Sequence, residues 1–235
     1  MHQLQHYEWV QLFSSYSNLS GQTTPGTGHR QIGGAESFAY KFVRNESRLP
    51  DGYEDGWAEP APSGSAQLAT KAAPLPGVGA PGGAWAFRRE SFDAVGGLLD
   101  RCILGSGDWF MAFGLASVLS TAAVEAKRGH AFDRYRGEFV QYIHAWQRRA
   151  AAAVRGNIGY VDGYAVHHFH GPMVKRGYAT RDSILIDHGF SPVHDVFVDS
   201  QGVLQLTPSK PALRDAIRRY FLSRSEDLPQ PELRT

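Results

Sequence analysis

The chain has 235 residues, of which 42% are hydrophobic and 20% are charged, a composition typical of a globular protein with a substantial core. Its formal net charge of +1 at pH 7 excludes a bulk electrostatic field that would draw nucleic acid or an acidic membrane to it. A single cysteine, Cys102, excludes an internal disulfide, which fits a reducing compartment. No apolar run approaches the roughly 18 residues of a membrane span, and no secretory signal is recognisable. We therefore expect a cytoplasmic protein.

The N-terminal part of the chain combines one strand pattern with long polar segments. Residues 1–7 are typical of the end of a helix, and residues 8–13 alternate apolar and polar side chains, which predicts a strand. Residues 14–34 are polar and rich in glycine, which predicts a loop, whereas residues 36–44 fit either a helix or a strand. Residues 49–83 contain six prolines among small side chains, so we predict a long loop that is either functional or a disordered insertion.

The rest of the chain shows clearer periodicities. The strongest helical pattern places Phe139, Ile143, Trp146 and Ala150 on one face, with Asp133 as the predicted N-cap. The other predicted elements are a strand over 84–87, a helix over 108–120, a strand pattern over 158–169, a helix over 178–188, a hairpin over 196–206, an amphipathic helix over 208–222 and a polar tail over 223–235. This mixture predicts a single α/β or α+β domain over residues 1–222.

One carboxylate follows a segment that suits a functional loop. The sequence Gly-Ser-Gly over 105–107 delivers Asp108 at the start of a predicted helix, and its glycines let the backbone take positive φ angles and pass close to a ligand. A carboxylate in this position could accept a proton from a hydroxyl nucleophile. It could equally serve as the helix N-cap, and the two roles can coexist.

A histidine cluster ends the strand pattern, in the sequence Val-His-His-Phe-His-Gly over 166–171. Along a strand, His168 and His170 would point to the same face, where two imidazoles can share a metal ion. Hydrogen bonding to a substrate and a purely structural role are the alternatives. No second cluster of cysteines or paired carboxylates stands out to complete a metal shell, and Asp162 is only a weak candidate.

Cationic side chains follow the histidines and also lie near residue 88. Arg176 and Arg181, together with Lys175, Arg88 and Arg89, could hold a phosphate or diphosphate. A solvated basic face is the alternative interpretation of the same residues.

Four of the five tryptophans differ in their expected roles. Trp146 lies on the apolar face of its helix, which predicts a core position. Trp109, beside the acid, and Trp57, in the long loop, are candidate platforms for stacking on a sugar ring. Trp85 is a further candidate contact with a substrate.

Two sequence blocks resemble a known family of enzymes. The run Gly-Ala-Trp-Ala-Phe-Arg-Arg-Glu-Ser-Phe-Asp-Ala-Val-Gly-Gly over 83–97, followed by Asp108, resembles the acceptor-side half of GT-A glycosyltransferases of the family 2 type. The block over 158–171, followed by Arg-Gly-Tyr-Ala-Thr-Arg over 176–181, resembles a glycosyltransferase-like group found in phages and bacteria. The resemblance covers residues 8–225 and implies an α/β fold with a partial mixed sheet flanked by helices.

The resemblance also implies roles for individual residues. Asp108 would be the catalytic base that deprotonates the acceptor hydroxyl for a single inverting displacement at the anomeric carbon. His168 or His170 would complete a site for a divalent metal, manganese or magnesium, or contact the donor diphosphate. Arg176 and Arg181 would neutralise the leaving group. The implied substrates are a nucleotide-sugar donor and a glycan acceptor.

The nucleotide-binding half of a GT-A domain has no counterpart in this sequence. In the family that half is a βαβ unit that ends in an Asp-X-Asp motif, and the acidic pair at 54–55 is preceded by no apolar strand. We therefore expect an incomplete domain whose activity is impaired or depends on a companion chain or domain. A non-catalytic carbohydrate-binding or structural module is the alternative function, and a histidine-based metallohydrolase is a weaker one.

Overall fold

The computed structural model describes residues 2–24, 28–44, 79–119, 135, 137–169, 173–178 and 180–224. The helices within these residues are α1 (Phe38–Val43), α2 (Arg89–Val95), α3 (Gly107–Leu115), α4 (Gly137–Ala153), α5 (Arg181–Asp187) and α6 (Pro211–Ser223). Short 3-10 helices lie at His2–Gln5 and Met173–Arg176. The strands are β1 (Trp9–Gln11), β2 (Ser15–Thr24), β3 (Gly28–Glu36), β4 (Trp85–Phe87), β5 (Ile158–Tyr160), β6 (Tyr164–His167), β7 (Val196–Val198) and β8 (Leu204–Leu206).

The described strands form two mixed sheets and one antiparallel pair, β7 with β8, and this combination with the helices confirms the predicted α/β class. β1 is the middle strand of one sheet, antiparallel to β4 and parallel to β5, and β2 is the middle strand of a second, antiparallel to β3 and parallel to β6. Residues 12–14 connect β1 to β2, and residues 161–163 connect β5 to β6. These two connecting segments are hydrogen-bonded to each other, because the Ser14 amide donates to the Gly163 carbonyl. The parallel pairing of β1 with β5 in the first sheet therefore continues as the parallel pairing of β2 with β6 in the second.

One prediction about the strands is wrong, and another is confirmed only in part. Residues 14–34, predicted as a loop, contain β2 and most of β3, whose backbone groups find partners in neighbouring strands although the side chains are polar. The strand predicted over 158–169 is divided into β5 and β6, which belong to different sheets. The chain bends between them at Asp162, whose Oδ1 accepts a hydrogen bond from Ser14 Oγ at 2.8 Å. The hairpin predicted over 196–206 is present as β7 and β8.

The predicted helices are present with different ends. α3 ends at Leu115 rather than at 120, because Ser117 takes a positive φ of 60°. α5 begins at Arg181 rather than at 178, and α6 begins at Pro211, a residue whose fixed φ suits the first helical turn. The ambiguous residues 36–44 contain α1.

Several predictions fall on residues that the structure does not describe. These are the N-cap at Asp133, the loop over 49–83 up to residue 78, and the tail beyond residue 224. The domain boundary at residue 222 also stays a prediction, and α6 continues one residue past it. In the described part of the chain we find no helix with the length and apolar character needed to cross a membrane.

The buried core is built around α3 and α4, which pack against each other, with α2 packed on α4. Trp146 of α4 occupies its predicted core position, and its Nε1 donates to the Gly97 carbonyl at 2.8 Å. A Cβ atom added at Gly114 would lie 2.9 Å from the Trp146 ring, so this helix contact requires glycine. Cys102 is buried in the same core.

α4 also carries a histidine whose titration makes stability depend on pH. Burial, and after it the charge of Arg148, hold the pKa of His144 below its ordinary value of 6.5. The unfolded chain takes up this proton before the folded chain does, so stability is complete above the unfolded pKa and falls as the pH drops below it. We expect His144→Gln to flatten the loss of stability between about pH 7.5 and about pH 5.5, measured by urea unfolding. An unchanged pH slope in the variant would show that other groups cause the loss.

Candidate functional site

Asp108 lies in the first turn of α3, at the end of residues 105–108, which we call the acid loop. Ser106 occupies the N-cap position with a positive φ of 68°, so the alternative in which Asp108 is the N-cap is wrong. The Asp108 carboxylate instead accepts a hydrogen bond from the Trp109 amide through Oδ1, at 2.9 Å. A negative charge in the first turn stabilises the helix, and the side chain is exposed, so the carboxylate is accessible to a ligand.

A second loop, residues 79–83, lies beside the acid, and we call it the glycine loop. A Cβ atom added at Gly82 would lie 2.8 Å from Asp108 Oδ2, so the two loops are in close contact at this point. A side chain at position 82 would push the carboxylate away. The absence of a side chain at Gly82 therefore helps to set where the carboxylate lies.

Side chains from two strands hold three successive carbonyls of the glycine loop. Gln11 Nε2 of β1 donates to the Ala80 carbonyl at 2.9 Å and to the Gly82 carbonyl at 2.8 Å. Trp85 Nε1 of β4 donates to the Pro81 carbonyl at 2.9 Å. Gln11 is fully buried. The first sheet thus fixes the glycine loop, and the glycine loop confines the carboxylate.

Arg181 reaches the acid loop from the start of α5. Its Nη2 donates to Ser106 Oγ at 3.1 Å, and a Cβ atom added at Gly105 would lie 2.6 Å from its Cζ. The guanidinium also lies over the Tyr178 ring, with Cζ 4.7 Å from the ring centroid. Two predicted site residues, Asp108 and Arg181, are therefore brought to the same end of α3.

Arg176 lies next to this contact and is only 8% exposed. Its Nη1 donates to the Tyr178 hydroxyl at 3.3 Å, and its carbonyl accepts a hydrogen bond from the Tyr220 hydroxyl of α6 at 2.9 Å. The two predicted cations, Arg176 and Arg181, therefore meet at Tyr178, a residue that sequence reasoning did not select. Burial makes Arg176 a support for Tyr178 and for the charge of the cluster rather than an open ligand contact.

The other predicted substrate contacts that the structure describes have partners of their own. Trp109 is partly buried and stacks on Phe113, with ring centroids 4.4 Å apart. Arg88 is the N-cap of α2 and forms an ion pair with Glu8 at 3.1 Å, and none of its described contacts reaches the acid loop. Trp57 lies outside the described residues.

The histidine cluster is described only in part. β6 ends at His167, whose Nδ1 lies 3.0 Å from Asn18 Oδ1, and His168 lies outside the strand. His168 is exposed, and His170 lies outside the described residues. Within the residues that the structure describes, no three or more His, Cys, Asp or Glu side chains lie together as a metal ligand set. The metal site at His168 and His170 stays a prediction.

Comparisons with known proteins leave the resemblance to GT-A enzymes as a prediction. No family model, no curated protein and no solved structure matches the chain. An exposed carboxylate and a guanidinium at one helix end can remove a proton and stabilise developing negative charge.

Proposed function

We propose that this chain forms the acceptor side of a GT-A-type glycosyltransferase, which transfers a sugar from a nucleotide-sugar donor to a hydroxyl group of a carbohydrate acceptor. The observation that supports this proposal most is that Arg181 contacts Ser106, 75 residues away in sequence, at the same end of α3 that carries Asp108. Because no Asp-X-Asp motif is present in the sequence, donor binding depends on a companion chain or domain.

Each side chain has a defined part in the proposed reaction. The exposed Asp108 carboxylate accepts the proton of an acceptor hydroxyl. The hydroxyl oxygen forms a bond to the anomeric carbon as the bond from that carbon to the diphosphate oxygen breaks, and the diphosphate leaves with the electron pair. Arg181 stabilises the charge that develops on the diphosphate, and Arg176 adds to the positive potential from behind Tyr178. Trp109 and Trp85 supply apolar area for the acceptor beside the acid.

Metal binding is a separate part of the proposal. His168 with His170 would hold manganese or magnesium, which would polarise the diphosphate when bound. The described residues contain no complete ligand set for it.

Asp108→Asn tests the proposed base. The chain, alone and joined to the reading frame directly upstream, is supplied with nucleotide-sugars, a divalent metal and mixed glycans, and release of nucleoside diphosphate is measured. We expect the variant to be slowed about 100-fold, because the proton acceptor is lost. Asp93→Asn is the matched control, since Asp93 is an exposed carboxylate on α2 whose partner is Arg89.

The possible results separate the candidate functions. Absence of diphosphate release in both forms of the chain, or an equal loss in the two variants, would refute the proposed enzyme. Binding on a glycan array without turnover would assign a non-catalytic carbohydrate-binding module. A stoichiometric metal in the purified chain, held without nucleotide, would support a metallohydrolase instead.

A further inference from the structure

α6 presents two different faces. Its buried face contributes Leu213, Ala216, Ile217 and Tyr220 to the interior. The opposite face carries three exposed arginines, and the last turn adds two exposed apolar side chains, Phe221 at 50% and Leu222 at 77% exposure. Leucine and phenylalanine at such exposure on a short helix leave an apolar surface that water solvates poorly.

The arginines on this face differ in their partners. Arg214 contacts the neighbouring Asp215, with Nε 3.3 Å from Oδ1. The side chains of Arg218 and Arg219 are exposed and form no hydrogen bond or ion pair with another residue in the part of the chain that the structure describes. Asp215 is the only acid on α6. The helix therefore concentrates positive charge, although the whole chain has a net charge of only +1.

The basic and apolar side chains lie next to each other on the helix surface. Arg218 and Leu222 are four positions apart and Phe221 is three positions from Arg218, so all three lie on adjoining parts of one face. Cations that neutralise anionic headgroups beside apolar side chains that enter the acyl boundary are the combination with which peripheral proteins bind a lipid surface. Single-stranded nucleic acid would be expected to use stacking aromatics, whereas the most exposed apolar side chain here is aliphatic.

We propose that the exposed face of α6, through Arg218, Arg219, Phe221 and Leu222, binds the surface of an anionic lipid bilayer. The core face of the helix stays packed in the protein, so the association is peripheral and reversible. The proposal is independent of the chemistry at Asp108. It predicts binding that falls with increasing salt, because the attraction of the arginines is screened.

Sedimentation with vesicles tests this surface. The full chain is mixed with neutral phosphatidylcholine vesicles and with vesicles that contain about 30% phosphatidylglycerol, at about 50 mM and about 300 mM salt. We expect binding only to the anionic vesicles and mainly at low salt. Arg218→Gln combined with Arg219→Gln is expected to weaken the partition coefficient about 30-fold, since each cation near an anionic surface contributes about fivefold. Phe221→Ser combined with Leu222→Ser is expected to weaken it about tenfold or more.

A matched control separates the α6 surface from net charge. Arg89→Gln combined with Arg148→Gln removes the same two charges from exposed positions on α2 and α4, and we expect it to retain binding. All variants alter exposed side chains, so their thermal unfolding should stay close to that of the parent chain when it is measured above the pH range in which His144 titrates, where Arg148 does not act on a charged imidazole. No binding to anionic vesicles, or an equal loss in the control, would overturn the proposal. Tighter binding to a single-stranded oligonucleotide than to the vesicles would also overturn it and assign the surface to nucleic acid.

Discussion

Replacing Gln11 by leucine is expected to lower the free energy of unfolding by about 4 kcal/mol. Gln11 is fully buried, and its amide makes three hydrogen bonds, two to the carbonyls of Ala80 and Gly82 and one from the Ala39 amide at 3.0 Å. Leucine fills a similar volume but leaves the Ala39 amide and the Gly82 carbonyl without this partner, whereas the Ala80 carbonyl still accepts from the Phe38 amide at 2.9 Å. Each buried polar group left unsatisfied costs about 1–3 kcal/mol, so two such groups account for the expected loss. Urea unfolding of the two proteins measures the difference.

A second buried glutamine provides the control for this prediction. Gln147 of α4 is also buried, and its Oε1 accepts one hydrogen bond, from the Leu119 amide at 2.9 Å. Gln147→Leu removes the same functional group at about the same burial. We expect it to lower the free energy of unfolding by about 1–2 kcal/mol, because only the Leu119 amide loses its hydrogen-bond acceptor among the described contacts. If the two variants lose equal stability, the hydrogen bonds to the glycine loop contribute little.

Gln11→Glu tests the direction of those hydrogen bonds. Glutamate has the same shape and can still accept the Ala39 amide, but as an anion it has no N–H to donate to the two carbonyls of the glycine loop. We expect it to destabilise the protein at least as much as leucine does. Because Gly82 lies against Asp108 Oδ2, both Gln11 variants should also reduce any activity of Asp108 under conditions in which they remain folded.

Local sequence signals predicted the parts of the fold that local interactions determine. The apolar positions of α4 repeat at helical spacing and are buried where the spacing places them, as Phe139, Ile143 and Trp146 show. The β7–β8 hairpin follows two short apolar runs joined by a turn sequence that ends in Gly202, which takes a positive φ of 79°. The strand before α2 was also predicted, and it is present as β4. The two glycines after α2 are typical of a helix end, and Gly96 takes a positive φ of 82° at the C-cap.

The parts that sequence reasoning missed depend on distant partners. β2 is a polar strand, and only its pairing with β3 and β6 reveals it. Gln11 finds its partners 28, 69 and 71 residues away, and no local pattern specifies such distances. One signal was available, because Gln11 shares a strand face with Trp9 and Phe13 by the period of two, and a polar residue on an apolar face must be bonded when buried.

The candidate site shows the same division. The glycines around Ser106 predicted positive φ angles before α3, and such angles are found there at Gly105 and Ser106. The contact between Arg181 and Ser106 was not predictable from composition, since it depends on how α5 packs near the start of α3. Tyr178 was missed because an exposed tyrosine carries no signal until the two arginines are seen to meet on it.

Asp195→Ala is expected to lower the free energy of unfolding by about 3 kcal/mol. The substitution removes the hydrogen-bond acceptor that joins Lys210, at the start of α6, to the turn before β7. Asp195 is nearly fully buried, and its Oδ2 accepts hydrogen bonds from Lys210 Nζ at 2.6 Å and from the Ser191 amide at 2.7 Å. Removing one member of a buried pair typically costs about 3–5 kcal/mol, and we take the lower end because the Lys210 side chain is 31% exposed and can reach water. The Lys210 ammonium also keeps the Gly189 carbonyl as a partner.

Asp215→Ala gives the comparison that assigns this cost to burial rather than to the loss of an ion pair. Asp215 pairs with Arg214 on the exposed face of the same helix, and such surface pairs contribute about 0–1 kcal/mol. Urea unfolding should therefore give Asp195→Ala a free energy of unfolding well below that of the parent chain, and Asp215→Ala a value close to it. If both variants unfold at the same urea concentration as the parent, Asp195 and Lys210 do not hold α6 in place, and its attachment must come from Leu213, Ile217 and Tyr220 alone.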